Sequence, residues 1–197
     1  MAALRGLLVT GAGTRRLEFP VEGITDGPIR IRLRADADDT AIVAACQDRE
    51  IPRWTRVPDP YDERAAADWA VESQRQREAG EGLHLIVADA DTDELLGSIG
   101  VQDVRRAESR CDIGYWLARQ ARGRGVMTRA VRLLSRWVFD NLPIERIQIT
   151  VQPENEASRA VAERAGYAFE GILRSYIEVK GGPGDAAMYS LLRANRR

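Results

Sequence analysis

Glycine and arginine residues crowd the segment RQARGRGVMTRAV, residues 119–131. Apolar residues recur at helical spacing after the second glycine, so Gly123 and Gly125 stand at the start of a helix. The first amide groups of a helix have no intrahelical acceptor, and the helix dipole adds partial positive charge there. Together with Arg122 and Arg124, these features favour a phosphate or pyrophosphate site. From the GRG tripeptide alone, a loop that needs only a flexible backbone is the preferred explanation.

Several other chemistries are excluded by spacing and by residue counts. The segment lacks the GxxxxGK[ST] spacing of a P-loop, and its GxG follows a strand meander rather than a βαβ unit. Cys46 and Cys111 lie far apart, which argues against a disulfide framework or a Cys-rich zinc site. The only histidine is His84, within the strand-like pattern LHLIVAD, where we expect a structural role and no metal.

Composition and charge indicate one soluble domain. The chain has 197 residues, of which 44% are hydrophobic and 30% charged, with a net charge of −1. This balance gives no indication of nucleic-acid binding. No apolar run is long enough to cross a membrane, and the N-terminal residues lack the pattern of a signal peptide. We therefore expect a cytoplasmic protein that binds neither nucleic acid nor membranes.

Hydrophobic periodicity predicts a mixed α/β order of elements. Residues 1–28 read as an irregular extension before a domain over 29–197, with Asp36 as the cap of its first helix. Proline residues between 49 and 61 predict a broken loop. Strands are predicted at 29–34, 83–89, 95–104, 109–118, 146–152, 167–179 and 186–193, with a loop KGGPGD between the last two. Helices are predicted at 36–47, 62–79, 123–140 and 155–166.

The segment from Gln120 to Gly125, QARGRG, resembles the Q/R-x-x-G-x-G/A signature of the GNAT acetyltransferases. IGYWLARQARGRGVMTRAV is similar to the strand, loop and helix around that signature. VQPENEASRAVAERAGYAFEG resembles the next strand and helix, and PRWTRVPDPYDERAAADW resembles the RimJ/RimL-like branch, the ribosomal-protein-alanine acetyltransferases. The resemblance runs from about Ile29 to Arg193, with three motifs in the family's order.

The resemblance implies an α/β fold of the α+β type. A central mixed, mostly antiparallel sheet of about seven strands would be flanked by about four helices. Strands 109–118 and 146–152 would splay apart around the pantetheine of acetyl-CoA, with backbone groups near Trp116 and Leu117 polarising the thioester carbonyl. The implied acetyl-CoA contacts are Trp116, Leu117, Gln120, Arg122, Gly123, Arg124, Gly125, Val126, Met127, Thr128 and Asn155.

Family analogy makes Ser158 the general acid toward the CoA thiolate, although a serine three positions after the helix cap Asn155 also has a capping explanation. Asp112, just before IGYW, is the candidate general base. Its alternative is a solvated strand residue paired with Arg110 or Arg105. Glu18, Glu108, Glu178 or water remain open as other bases.

Three aromatic residues are candidates for binding the acceptor: Trp54, Tyr61 and Tyr176. Core packing is the alternative for each of them. The resemblance implies transfer of an acetyl group to a primary amine, such as a protein or peptide N-terminus. A small amine (an amino sugar, antibiotic or polyamine) and a non-catalytic acyl-CoA-binding module remain as alternatives. A homodimer is the habit of the family.

Overall fold

The computed structural model describes residues 16–195, and within them eight strands form one mixed sheet. Its neighbours follow the order β1-β2-β3-β4-β5-β6-β8-β7. Every neighbouring pair is antiparallel except β5 and β6, which are parallel. The strands are β1 (Ile24–Asp26), β2 (Ile29–Leu33), β3 (Leu83–Asp89), β4 (Leu95–Arg105), β5 (Arg110–Leu117), β6 (Arg146–Val151), β7 (Ala168–Val179) and β8 (Gly182–Leu192).

Five α-helices cover the two faces of the sheet in the described part of the chain. They are α1 (Asp39–Cys46), α2 (Glu50–Trp54), α3 (Glu63–Ala79), α4 (Val126–Asn141) and α5 (Glu156–Arg164). Helices α1 to α3 share an apolar cluster with Ile86 and Ala88 of β3. Helices α4 and α5 pack with Leu85 and Val87, the alternate residues of the same strand. Because side chains of a strand alternate between faces, β3 is buried on both sides.

The strongest local signals match the structure closely. Strand β3 has the bounds that its pattern predicts, and α3 begins and ends where its capping residues stand. Asp62 accepts a hydrogen bond from the amide of Ala65 at 2.8 Å. Gly80 follows the helix with φ of 72°, the left-handed conformation that ends many helices. Local hydrogen bonding therefore sets these bounds.

The extension predicted for residues 1–28 is irregular at 16–23 but not at 24–26. Residues 24–26 form β1, which pairs with β2, and residues 1–15 lie outside the described residues. Leu17 is 1% exposed and packs into the main core with Phe19, whose ring meets that of Trp137 at a tilted angle. Strand β1 has only three residues, too few to show a periodic pattern in the sequence. The packing that holds this segment involves a helix that is distant in sequence.

Three further predictions need correction. The loop predicted over 49–61 contains α2, because Pro52 lies in its first turn, where a missing N–H costs nothing. Asp36 caps no α-helix; α1 is preceded by a 3-10 turn (Asp36–Asp38), and Asp38 accepts from the Ala35 amide and binds Arg32. The loop KGGPGD is shorter than predicted, since β8 starts at Gly182.

Replacing Leu17 with alanine tests whether the segment before β1 belongs to the domain core. We expect the free energy of unfolding to fall by about 2–5 kcal/mol, because a fully buried leucine leaves a cavity behind. Denaturant unfolding followed by circular dichroism measures this change. Val21→Ala is the control: Val21 is 88% exposed, and its replacement should change stability by less than about 0.5 kcal/mol. Equal small effects of the two substitutions would refute the packing of this segment.

Candidate active site

A gap opens between β5 and β6, the only parallel neighbours in the described sheet. Their pairing covers three positions and ends where Asp112 lies opposite Gln148. Beyond this point β5 stays paired with β4 as far as Leu117, and β6 stays paired with β8 as far as Val151. The facing edges of 113–117 and 149–151 both line one large cavity of about 1640 Å³. Backbone groups on these edges are therefore available to a ligand that enters the gap.

The glycine-rich loop lies between this main cavity and a second, basic recess of about 630 Å³. Arg122 and Met127 line the main cavity. The recess is lined by Gly123, Arg124, Gly125, Thr128, Arg129, Arg132, Arg164 and Asp26. Four arginines and one aspartate give the recess a net positive charge, which suits phosphate groups.

The conformation of the loop requires its glycines. Gly123 has φ of 75° and Gly125 has φ of 74°, values that residues with a side chain rarely adopt. A Cβ atom added at either position would meet no protein atom within 4 Å, so the backbone faces open space. Helix α4 starts at Val126 directly after Gly125, with no side-chain cap. Its first amide groups and the basic recess together fit a pyrophosphate.

The other residues predicted for the loop differ in their placement. The Arg122 guanidinium donates to the carbonyl of Leu117 at 2.9 and 3.2 Å and lies 2.8 Å from an Asp48 carboxylate oxygen. Its charge thus joins the loop to the end of β5 and to the segment after α1. Gln120 is exposed in a 3-10 turn, while the side chains of Val126 and Met127 are buried. Met127 also lines the main cavity, and both residues contribute backbone amides to the first turn of α4.

Ser158 lies in the first turn of α5, on the cavity side. Asn155 caps this helix, because its Oδ1 accepts from the Ser158 amide at 3.0 Å. The Ser158 hydroxyl is 3.0 Å from the phenol oxygen of Tyr115 on β5. Capping is therefore done by Asn155, and the serine hydroxyl is left to Tyr115 and the cavity. Burial raises the pKa of the Tyr115 phenol to about 12, so it is a neutral donor near pH 7.

Asp112 lies at the point where β5 and β6 separate. Its Oδ1 atom is buried and has no hydrogen-bond partner among the described residues. Burial, and then the nearby Asp103 carboxylate, raise the pKa of Asp112 to about 6. The suggested pairing with Arg110 or Arg105 is not found, since both arginines bind Asp103 and Glu108 instead. An unpaired carboxylate with this pKa is suited to accept a proton near neutral pH.

The alternative bases lie in different surroundings. Glu18 has a side chain that is 76% exposed and lies beside Arg16 and Arg77, and it does not line the main cavity. Glu108 is bound by Arg110 at 2.7 Å at the far end of β5. Glu178, on β7, is the one member of this group that lines the cavity.

The three aromatic candidates for acceptor binding all line the main cavity. Trp54 donates its indole N–H to Glu50 at 3.0 Å and carries Arg53 over its ring. Tyr61 is 6% exposed within the apolar cluster of α1 to α3, so its ring is mostly core. Tyr176 is 53% exposed on β7. Trp54 and Tyr176 thus line the cavity from different elements, α2 and the β7–β8 hairpin.

Two cavity residues were missed from the sequence. Tyr115 sits in the quoted IGYW pattern, and its alternation with Asp112 along β5 could have placed it on the opposite face, toward α5. His84 was assigned a structural role, yet it also lines the cavity. In residues 16–195 no group of three or more His, Cys, Asp or Glu could hold a metal. No helix in this range is long and apolar enough to span a bilayer.

Comparisons with known proteins agree with this geometry. Residues 30–168 match the model of the acetyltransferase (GNAT) domain. The chain is 30% identical over 172 residues to the provisionally named ribosomal N-acetyltransferase YdaF of Bacillus subtilis (strain 168). That match covers 84% of this chain and 90% of YdaF.

Two solved structures show the same fold. RimL, a ribosomal alpha-N-protein acetyltransferase in complex with coenzyme A, superposes with a TM-score of 0.77 at 19% identity, over 88% of this chain and 97% of RimL. The microcin self immunity acetyltransferase MccE, in complex with acetyl-CoA and AMP, superposes with a TM-score of 0.79 at 21% identity. Here 88% of this chain and 98% of MccE are covered.

The gap, the glycine loop and the matched domain define a class: the chain belongs to the GNAT acetyltransferase family and is an N-acetyltransferase. The expected α/β fold is confirmed, with β1 and α2 as the strand and helix beyond the expected numbers. Acetyl-CoA as co-substrate is confirmed as well, by the family match and by the neighbouring structures.

Asp112→Asn should separate stability from activity. Because folding raises the pKa of Asp112, ionisation of this carboxyl lowers the free energy of unfolding. The contribution of the protonated carboxyl to stability is therefore fully present below about pH 4 and is lost as pH rises through about 6. The variant should therefore be about 1–2 kcal/mol more stable than the wild type at pH 7.5, with no such gain at pH 4. It should also lose the acid limb of the pH–rate profile near 6. Thermal unfolding at both pH values and a pH–rate profile measure these effects. An unchanged acid limb would contradict the role of Asp112 as base.

Proposed function

We propose that this protein transfers the acetyl group of acetyl-CoA to the N-terminal amine of a protein or peptide. The observation that carries the choice of acceptor is the charge and shape of the main cavity. It extends from α2 to the β7–β8 hairpin, which leaves room for an extended chain. Its charged lining residues are six acids (Glu50, Glu72, Glu81, Asp103, Asp112 and Glu178) and five bases (Arg53, Arg56, Arg105, Arg122 and Lys180).

A mixed lining supports a peptide more than a small polycation. A site selective for polyamines or amino sugars gains affinity from a strongly acidic pocket, since those substrates are cations before they lose a proton. Here the acids and bases nearly balance. The similarity to YdaF, whose name refers to a ribosomal acceptor, supports the same choice.

The loop would hold the co-substrate at its pyrophosphate. Amide groups at the start of α4, and the arginines of the basic recess, face the place where its phosphate oxygens would lie. The gap between β5 and β6 would hold the pantetheine, with unpaired backbone groups of 113–117 binding it as a missing strand would. Backbone N–H groups there also stabilise negative charge on the thioester oxygen during attack.

Proton transfer would then involve the two polar side chains at the gap. Asp112 accepts a proton from the incoming ammonium, and the free amine attacks the thioester carbonyl. Ser158 donates its hydroxyl proton to the departing thiolate sulfur. The nitrogen bonded to the acetyl carbon loses its second proton to water, through which Ser158 is reprotonated, and Asp112 returns its proton to bulk water. The Tyr115 phenol donates to the Ser158 carbonyl at 3.2 Å and lies 3.0 Å from the Ser158 hydroxyl, which holds the start of α5 beside β5. The bond formed is an amide, and the bond broken is the thioester.

The location and assembly of the protein are further proposals. A cytoplasmic location and a homodimer stay predictions, as does the absence of nucleic-acid and membrane partners.

A panel of acceptors with acetyl-CoA, followed by detection of free CoA thiol, tests the proposed function. We expect turnover with peptides that have a free N-terminus and none with the same peptides N-formylated. Mass spectrometry should place one acetyl group on the N-terminal nitrogen. Turnover of spermidine or an amino sugar with all peptides inert would favour a small-amine acetyltransferase. Acetyl-CoA binding with no turnover of any amine would favour a non-catalytic module.

Ser158→Ala tests the step at the thiolate. An interaction made only in the transition state lowers kcat and kcat/KM together. We expect a loss of about 10²-fold in both, the lower end for a general acid, with acetyl-CoA affinity unchanged by calorimetry. Because Asn155 caps α5, thermal stability should barely change. A loss of stability of about 0.5–2 kcal/mol with full turnover would instead assign Ser158 a capping role.

A further inference from the structure

His84 is held in one tautomer by two residues of α3. Its Nε2 atom is 2.9 Å from Oε1 of Gln76, and Nε2 of Gln76 donates to the Glu72 carboxylate at 2.7 Å. A carboxylate only accepts, so the Gln76 amide must turn its N–H₂ to Glu72 and its oxygen to His84. This network assigns the imidazole hydrogen to Nε2. Arg75, and then Gln76, lower the pKa of Glu72 to about 2, which keeps that carboxylate an acceptor.

The second ring nitrogen is left with a free lone pair at the cavity. Burial lowers the pKa of His84, so its ring is neutral at pH 7. Nδ1 has no hydrogen-bond partner among the described residues. A Cβ added at Gly100 would lie 3.3 Å from Nδ1, which places this atom above the bare backbone of β4. Trp69 meets the ring edge-on at a centroid distance of 5.7 Å and fixes its orientation.

A row of residues without side chains connects His84 to the gap. His84 pairs with Gly100 across β3 and β4, and Gly100 pairs with Gly114 across β4 and β5. All three line the main cavity. Asp112 lies two residues before Gly114, on the same face of β5. Two strand spacings, about 9.5 Å, separate the backbones of His84 and Gly114, and the imidazole reaches over Gly100 to shorten the remaining distance.

Other charged groups reach this part of the cavity from the elements around it. Asp112 and Asp103 come from β5 and β4, Glu72 from α3, and Arg56 from the loop after α2. None of them lies in the glycine row itself. The Gln102 side-chain amide lies over Gly114, 2.8–3.3 Å from where a Cβ atom of that glycine would stand. A substrate amine beside Asp112 is thus separated from Nδ1 by this amide and by the space beside it.

We propose that His84 is a specificity-determining residue that binds the acceptor. Its Nδ1 accepts a hydrogen bond from a second, neutral donor group a few bonds from the reacting amine. This inference rests on the proposed function. On a peptide the donor is either a hydroxyl of the first residue or the amide N–H of the second. The imidazole only accepts this hydrogen bond and takes no part in proton transfer to the thiolate.

Nitrogen-15 NMR tests the ground state without any need for turnover. His84 is the only histidine of the chain, so its imidazole signals need no assignment. We expect protonated Nε2 and bare Nδ1 near pH 7 in the protein bound to CoA. Saturation with a peptide should shift the Nδ1 signal toward that of a hydrogen-bonded nitrogen. A hydrogen on Nδ1, or no shift with an amine that the enzyme acetylates, would overturn the inference.

Three peptides and two variants identify the donor. The peptides begin with Ser, with Ala, and with Ala followed by an N-methylated residue that lacks the amide N–H. A hydroxyl donor gives a KM about 3- to 10-fold lower for Ser than for Ala, and an amide donor gives a similar penalty for N-methylation. His84→Phe, which keeps a ring against Trp69, should abolish whichever difference is seen, with kcat and the KM for acetyl-CoA unchanged.

His84→Asn is the matched control, because its side-chain oxygen can stand near the position of Nδ1. It should restore part of the peptide discrimination, although it loses the ring contact with Trp69 and the bond to Gln76. Discrimination that is equal in wild type and His84→Phe, or a loss of kcat alone, would refute the role of Nδ1. If only spermidine is acetylated, the proposed peptide acceptor fails, and the Nδ1 shift with spermidine then decides the inference separately.

Discussion

The separation of β5 from β6 is the constraint on which the rest of the site depends. The two strands pair at three positions only, and each then continues with its other neighbour. Two strand edges are thereby left without half of their hydrogen bonds. Unpaired backbone groups cost free energy when they are buried, so such edges persist where water or a ligand reaches them. The gap therefore acts as a binding site for an extended, amide-containing molecule such as pantetheine.

Elements on both sides keep the gap open and supply its chemistry. Helix α4 packs its apolar face on the sheet, which fixes the position of the glycine loop at its start. Helix α5 lies across the gap from β5 and brings Ser158 to Tyr115, two residues 43 positions apart. Asp112 sits at the fork itself, where the last pair of the ladder leaves its carboxylate buried and unpaired. On the acceptor side, Gly100 of β4 and Gly114 of β5 leave room for the His84 imidazole and the Gln102 side chain. The same fork thus organises co-substrate, proton transfer and acceptor.

Local signals in the sequence predicted the loop and most elements, while contacts between distant segments escaped prediction. The glycines at 123 and 125 were found because the conformation they require is set by their own backbone. Strand β1 was missed because three residues carry no period, and α2 because its proline stood in a tolerated position. The buried state of Asp112 depends on β4 and β6, and the tautomer of His84 depends on α3. Neither could be read from the residues beside them.

Hydrogen exchange at the backbone of β5 tests the account most directly. Amides of 110–112 should exchange slowly with or without acetyl-CoA, because the ladder to β6 holds at these positions. Among residues 113–117, the amides that do not pair with β4 should exchange quickly in the free protein. Saturating acetyl-CoA should slow them strongly, and NAD should leave them unchanged. Fast exchange that persists in the acetyl-CoA complex would contradict the proposal that this gap holds the co-substrate.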